Sequence, residues 1–230
     1  MVTRWLHLEE RGGDQWVLPV WAAVHRSIAA GTTRGITPEL SALGVHISSR
    51  LNVLPRVVNR VNGEVAALLE AVQRHGPEHV YTDQAEGVAF RVDDDLKYQL
   101  IADIDALLFE INSCAELMAR FFDLLSAHAG RPIPANSLTQ ELTTALGARG
   151  VNGQWFRLLD RNRNFVAHSG TPYLAIDASG NQWDLLVMKE NVRRFNDPET
   201  YFHFAELRDI VNGFVQAKAG LQAHLISFFP

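Results

Sequence analysis

Ile47, Leu51, Leu54, Val58, Val61, Val65, Leu68 and Val72 recur in steps of four and three without a break. This spacing lines the apolar side chains along one stripe of an α-helix, the a/d pattern of a bundle or coiled coil. A seam of this length needs something to cover it, so the rest of the chain, a partner or a second copy must do so. Thr37-Pro38-Glu39 opens the segment with an N-cap and a proline in the first turn. The spacing predicts a long helix over about 38–75. Pro55 lies inside it and predicts a kink or a restart, because proline removes one backbone donor.

A second long helix is expected from about Asp95 to about His128. Asp93, Asp94 and Asp95 crowd its start, where the helix dipole favours negative charge. Ile104, Ile111, Met118 and Leu125 form one row, with Leu107, Leu108, Cys114, Ala115, Phe121 and Phe122 beside it. Gly130-Arg131-Pro132-Ile133-Pro134 breaks the chain, and Ser137 with Gln140 reads as a capping box for a short helix ending near Gly147. Another helix starts near Asn152 and carries Trp155, Leu158, Leu159, Asn162, Phe165 and Val166 towards His168. Ser169-Gly170-Thr171-Pro172 stops it.

The one convincing β pattern follows. Tyr173 to Ile176 and Trp183 to Met188 flank the turn residues Asp177-Ala178-Ser179-Gly180-Asn181. Asp197-Pro198-Glu199 then opens a terminal helix with Leu207, Val211, Phe214, Leu221, Leu225 and Phe228 on one face. The expected fold is mainly α: a multi-helix bundle with one β-hairpin, at about 173–188, inserted between the helix ending at His168 and the C-terminal helix. Gly76–Val92 is the expected boundary between an N-terminal helical region (1–92) and a C-terminal bundle (93–230), a single shared core being the alternative.

With 230 residues and 47% apolar content, the chain buries roughly 70% of its unfolded surface and needs no staple. Its single cysteine, Cys114, excludes an intrachain disulfide and a Cys-rich zinc cluster. On the apolar stripe Cys114 reads as a buried core thiol rather than a nucleophile. The net charge of −5 argues against coating nucleic acid by bulk positive charge, while leaving a local basic site open. No apolar run approaches the ~18 residues of a spanning helix. Arg4, Glu9, Glu10 and Arg11 interrupt any signal-peptide pattern. These features lead to the expectation of a cytoplasmic protein with no membrane partner.

Few motifs carry chemistry. His75 and His79 are four apart, but Gly76-Pro77 between them opposes a helical metal pair. Asp93–Asp95 is explained as a helix start, and the sequence holds no His-Glu-x-x-His motif, phosphate loop or nucleophile elbow. No metal and no cofactor are expected.

The segment Leu158–His168 places Arg161, Asn162, Arg163, Asn164 and His168 at the end of an otherwise apolar helix. Three- and four-residue steps put Arg161, Asn164 and His168 on one side, and Arg163, next to Asn164, reaches the same cleft if the last turn loosens. Such a group suits a phosphodiester. Arginine grips phosphate oxygens with paired hydrogen bonds, histidine gives or takes a proton near neutrality, and an amide orients either. Between Arg131 and Arg163 five arginines, Arg157 among them, stand against Glu141 and Asp160. Between Asp93 and Asp123 two cations stand against eight acids. Tyr173 and Trp183 on the hairpin are candidates for stacking a single-stranded base. The plain alternative for Arg163, Asn164 and His168 is a helix C-cap cluster.

Arg163-Asn164-Phe165-Val166-Ala167-His168 resembles the Arg-x4–6-His signature of the HEPN superfamily, with a polar residue directly after the arginine. Arg161-Asn162, with six residues between Arg161 and His168, fits in a second frame. The Arg163 frame is preferred because Asn164 then takes the family's polar position. A long helix, a short one, the motif helix and a terminal helix also resemble the HEPN bundle, over about Asp94 to Pro230. The first ninety residues are not explained by it. The resemblance implies a metal-independent endoribonuclease acting as a homodimer, often a toxin or defence protein with an antitoxin or other partner. In that reading Arg163, Asn164 and His168 are catalytic, and Arg157, Arg161, Tyr173 and Trp183 bind RNA. It equally accommodates a non-catalytic member that binds nucleotide, RNA or a protein. One histidine per segment is a physical reason for pairing two copies, because internal 2′-hydroxyl attack profits from both a base and an acid. At a helix C-terminus the dipole suits His168 to the acid or electrostatic role.

Overall fold

The apolar stripe of the first long helix is buried against the second. In the computed structural model, which describes residues 13–74, 80–84, 87–134, 136–168, 172–190 and 195–229, α1 spans Val17–Ala29 and α2 spans Pro38–Arg74. Thr37 caps α2 by accepting the Leu40 backbone N–H at 3.3 Å. The predicted restart at Pro55 does not occur: α2 runs unbroken through it. Leu51, Leu54 and Val57 on either side are all buried in the core, and that packing holds the helix across the lost backbone bond.

The second long helix, α3, spans Asp94–His128. Asp93 caps it, accepting the Leu96 N–H at 3.0 Å. α2 and α3 form an antiparallel hairpin whose flank carries the ion pairs Glu39–Arg120, Arg50–Glu110 and Arg60–Asp103. The falling order of the α3 partners fixes the direction. Between these helices, within the expected boundary segment, strands β1 (Val80–Gln84) and β2 (Gly87–Phe90) pair antiparallel, a hairpin that the sequence reading did not contain.

α4 (Leu138–Gly147) and α5 (Gln154–His168) follow. Ser137 does not form the expected capping box: its backbone is helical (φ −103°, ψ −2°), so its hydroxyl makes no cap bond. β3 (Tyr173–Asp177) and β4 (Asp184–Met188) form the expected hairpin, and β5 (Tyr201–His203) adds a third antiparallel strand on β4. β5 also corrects the start of the last helix. Asp197 caps only a short 3-10 turn at Pro198–Thr200, and α6 runs Phe204–Ile226.

The molecule is thus mainly α, with a small antiparallel sheet inserted between α5 and α6. Buried residues of α1, α2, α3, α5, β4, β5 and α6 belong to one hydrophobic core, so the stretches on either side of residue 92 share their interior. Trp16 ties the start of α1 to α6 through Nε1 donating to the Lys218 carbonyl at 2.7 Å. Among the described residues, no helix is long and apolar enough to cross a membrane.

Candidate functional site

α5 buries Trp155, Leu159, Asn162 and Val166, in steps of four, three and four. This face lies tightly on α6. A Cβ on Gly213 would come within 2.2 Å of the Trp155 Cβ, so only glycine permits the approach. Phe165 packs edge-to-face on Phe202 of β5, with ring centroids 5.3 Å apart, which braces the end of the helix against the sheet.

Asn162 is the polar member of that buried stripe, only 1% exposed. Its Oδ1 accepts from Arg161 Nε at 3.2 Å, and its Nδ2 lies 3.4 Å from Glu206 Oε2 of α6. Arg161 Nη2 pairs with the same Glu206 oxygen. A buried amide must find partners, and here Arg161 and Glu206 supply them. The Arg161-Asn162 frame is therefore engaged in joining α5 to α6.

The other frame is freer. Asn164 and His168 are exposed, and their side chains make no hydrogen bond with a described residue. Arg163 is 39% exposed and touches only Asp160 among the described acids, Nη2 to Oδ1 at 3.4 Å. Its Nε is closed off from solvent without a partner. Arg161, Asn164 and His168 share the outward side of α5, as their spacing requires. Arg163 and His168, five residues apart, lie about 140° apart around the helix axis.

The remaining candidates do not converge on this point. Arg157 is exposed and forms no ion pair with a described residue. Arg131 stacks over Phe228 at 5.1 Å, and Arg149 donates to the Ala223 carbonyl at 3.3 Å. Both therefore lie near the C-terminal end of α6, roughly 25 Å along that helix from Glu206. The five arginines that are close in sequence are not one basic patch. Tyr173 pairs with Met188 at the open end of the hairpin, whereas Trp183 precedes Asp184, which pairs with Asp177 beside the turn. Four residues of strand, roughly 13 Å, separate these ends, so the two rings do not form a single platform.

Cys114 is buried, and burial pushes its thiol up to about 12. It is a core residue. His75 and His79 lie outside the described residues. Among the described residues, no group of three or more His, Cys, Asp or Glu side chains is placed to hold a metal. A cleft of about 250 Å³ is lined by Val58, Val61, Leu107, Leu207, Arg208 and neighbours on α2, α3 and α6, and none of the motif residues reaches it.

Sequence reasoning missed Asn162 as a structural hub, although its place in an apolar stripe was a signal. Glu206 carried no local signal. It also missed the Asp184–His203 contact, Oδ2 to Nδ1 at 3.1 Å. His203 alternates with Phe202 along β5 and so faces away from α5. That contact is separate from the motif. No family model, no curated protein and no solved structure matches this chain.

Proposed function

We propose that the protein is a metal-independent endoribonuclease of HEPN type that works as a homodimer. The observation that carries this reading is the availability of one frame of the motif. Arg161 is tied to Glu206, while Asn164 and His168 stand outward at the end of α5, and Arg163, about 140° round the helix from His168, contacts only Asp160 among the described acids. In the proposed reaction a ribose 2′-hydroxyl loses its proton to a base and attacks the adjacent phosphorus. The P–O5′ bond breaks, leaving a 2′,3′-cyclic phosphate and a 5′-hydroxyl. His168 protonates the departing 5′-oxygen, and the same residue of a second copy serves as the base. Arg163 offsets the charge that builds on the phosphate, and Asn164 orients the reacting groups. Arg157, Arg161, Tyr173 and Trp183 are the RNA-binding residues of this proposal. A toxin or defence role, an antitoxin partner and a cytoplasmic location belong to the same proposal.

The second reading is a non-catalytic HEPN-like protein that binds nucleotide, RNA or a protein partner. The Arg163–Asp160 contact favours it, because it occupies part of the cation within the chain. The test is to incubate mixed RNA with the purified protein in EDTA, beside His168→Ala, and to analyse the product ends. Cleavage to cyclic-phosphate and 5′-hydroxyl ends that is lost in the variant supports the nuclease. Intact RNA with wild type, or equal cleavage by the variant, rejects it.

A further inference from the structure

Arg60 of α2 and Asp103 of α3 meet in a two-bond fork, Nε to Oδ2 and Nη2 to Oδ1, both at 2.7 Å. Glu64 lies one turn after Arg60 on the same face of α2, which sets its carboxyl beside that of Asp103. Its Oε2 is closed off from solvent and meets no N–H or hydroxyl donor. Two ionised carboxylates cannot hydrogen-bond each other, since each only accepts. One proton between them changes that. The protonated acid becomes a donor, and the bond it makes to the remaining carboxylate is of the strong, charge-assisted kind.

We propose that this proton is part of the fold: Glu64 is a neutral acid donating to Asp103, and Arg60, Asp103 and Glu64 form a proton-dependent latch between α2 and α3. Its position gives it leverage, because α2 and α3 are the two longest helices and their seam is the longest in the molecule. The charges that act on Glu64 are Arg60 on its own helix and Asp103 across the seam. Two further ion pairs cross the seam among the described residues, Arg50 with Glu110 and Glu39 with Arg120. Arg208 of α6 lines the cleft with Asn62 of α2, and Glu64 is not among that cleft's lining residues.

The direction follows from the surroundings. Burial and the Asp103 charge push Glu64 from its ordinary 4.5 up to about 7, with Arg60 only partly offsetting them. Between those values the folded protein holds a proton that the unfolded chain has released. Glu64's contribution is therefore complete below about pH 4.5 and is lost as the pH rises through about 7. Asp103 works in the opposite sense. The Arg60 fork holds it below its usual range, so its contribution is present above pH 3.8 and fades as the pH falls. The seam is tightest in mildly acidic solution. None of this depends on the protein cutting RNA.

The experiment is urea unfolding of the full chain at pH 5.5 and pH 8.0, for wild type and Glu64→Gln. Glutamine keeps a donor towards Asp103 but does not titrate. The wild-type folding constant should fall, relative to the variant's, by about tenfold or more between the two pH values. His128 and His224 also respond to pH, but they are present in both proteins and cancel in the comparison. Parallel behaviour of the two proteins overturns the latch. Should the variant not fold, the ¹³C titration of the Glu64 carboxyl in wild type decides. A midpoint near neutrality supports the proposal, and one in the ordinary carboxylate range overturns it.

Discussion

Arg161 on α5 and Glu206 on α6 share an ion pair, and the Glu206 oxygen that completes it also lies within reach of the buried Asn162 amide. This one acceptor makes two adjacent motif residues part of the helix seam and leaves the next arginine, Arg163, as the motif cation not tied to α6. Glu206→Ala should therefore lower stability by about 1–2 kcal/mol, since it orphans a buried amide and frees a half-exposed arginine. RNA cleavage at low temperature should persist. Urea unfolding and a cleavage assay on the same preparation check both halves.

The seam beneath the motif has no spare room. Gly213→Ala sets a methyl group against the Trp155 Cβ, a clash of two backbone-anchored atoms that no rotamer relieves. The expected cost is about 3 kcal/mol, read as a lower melting temperature. Gly147→Ala, which meets nothing within 4 Å, should leave that temperature within a few degrees.

Acid should weaken the fold through two histidines. Burial lowers both His128 and His224, helped by Arg34 for the first and by Arg149 and Arg131 for the second. Both ring nitrogens of His128 lack a well-formed hydrogen bond. A histidine lowered below 6.5 is neutral in the fold and charged in the unfolded chain under mild acid. Its contribution is present above pH 6.5 and lost as the pH falls below it. His128→Leu should flatten the decline in melting temperature between pH 6.5 and pH 5, and an unchanged decline would contradict this.

Cys114 should not react with a thiol reagent in the native protein, because its thiol is both buried and held up to about 12. Labelling followed by mass measurement, with and without urea, should show modification only on unfolding.

The long helices were legible because their repeats obey one period over many turns, and Leu51, Val61 and Ile104 lie in the core as their spacing requires. The β3–β4 hairpin was legible from the turn residues it flanks, but β1, β2 and β5 had no such signal. Tyr201–His203 is strand only because β4 offers it an edge, and the Asp197-Pro198 signal that reads as a helix start is used up by one 3-10 turn. At Pro55 the helix does not restart, because residues on both flanks are packed in the core. At the site, the outward residues of α5 followed from three- and four-residue steps. The partner of Arg161 did not, since Glu206 is 45 residues away in sequence. Charge counted along the chain likewise failed to show that Arg131 and Arg149 lie at the other end of α6 from the motif.

The most direct test of the central claim is the RNA cleavage rate, in EDTA, of Arg163→Ala beside Arg161→Ala. Loss of a group that stabilises developing phosphate charge costs on the order of 10²–10³ in rate. Arg163→Ala should show that loss while keeping its melting temperature. Arg161→Ala should melt earlier and still cut. Equal rates for the two variants, or a loss confined to Arg161→Ala, would contradict the account.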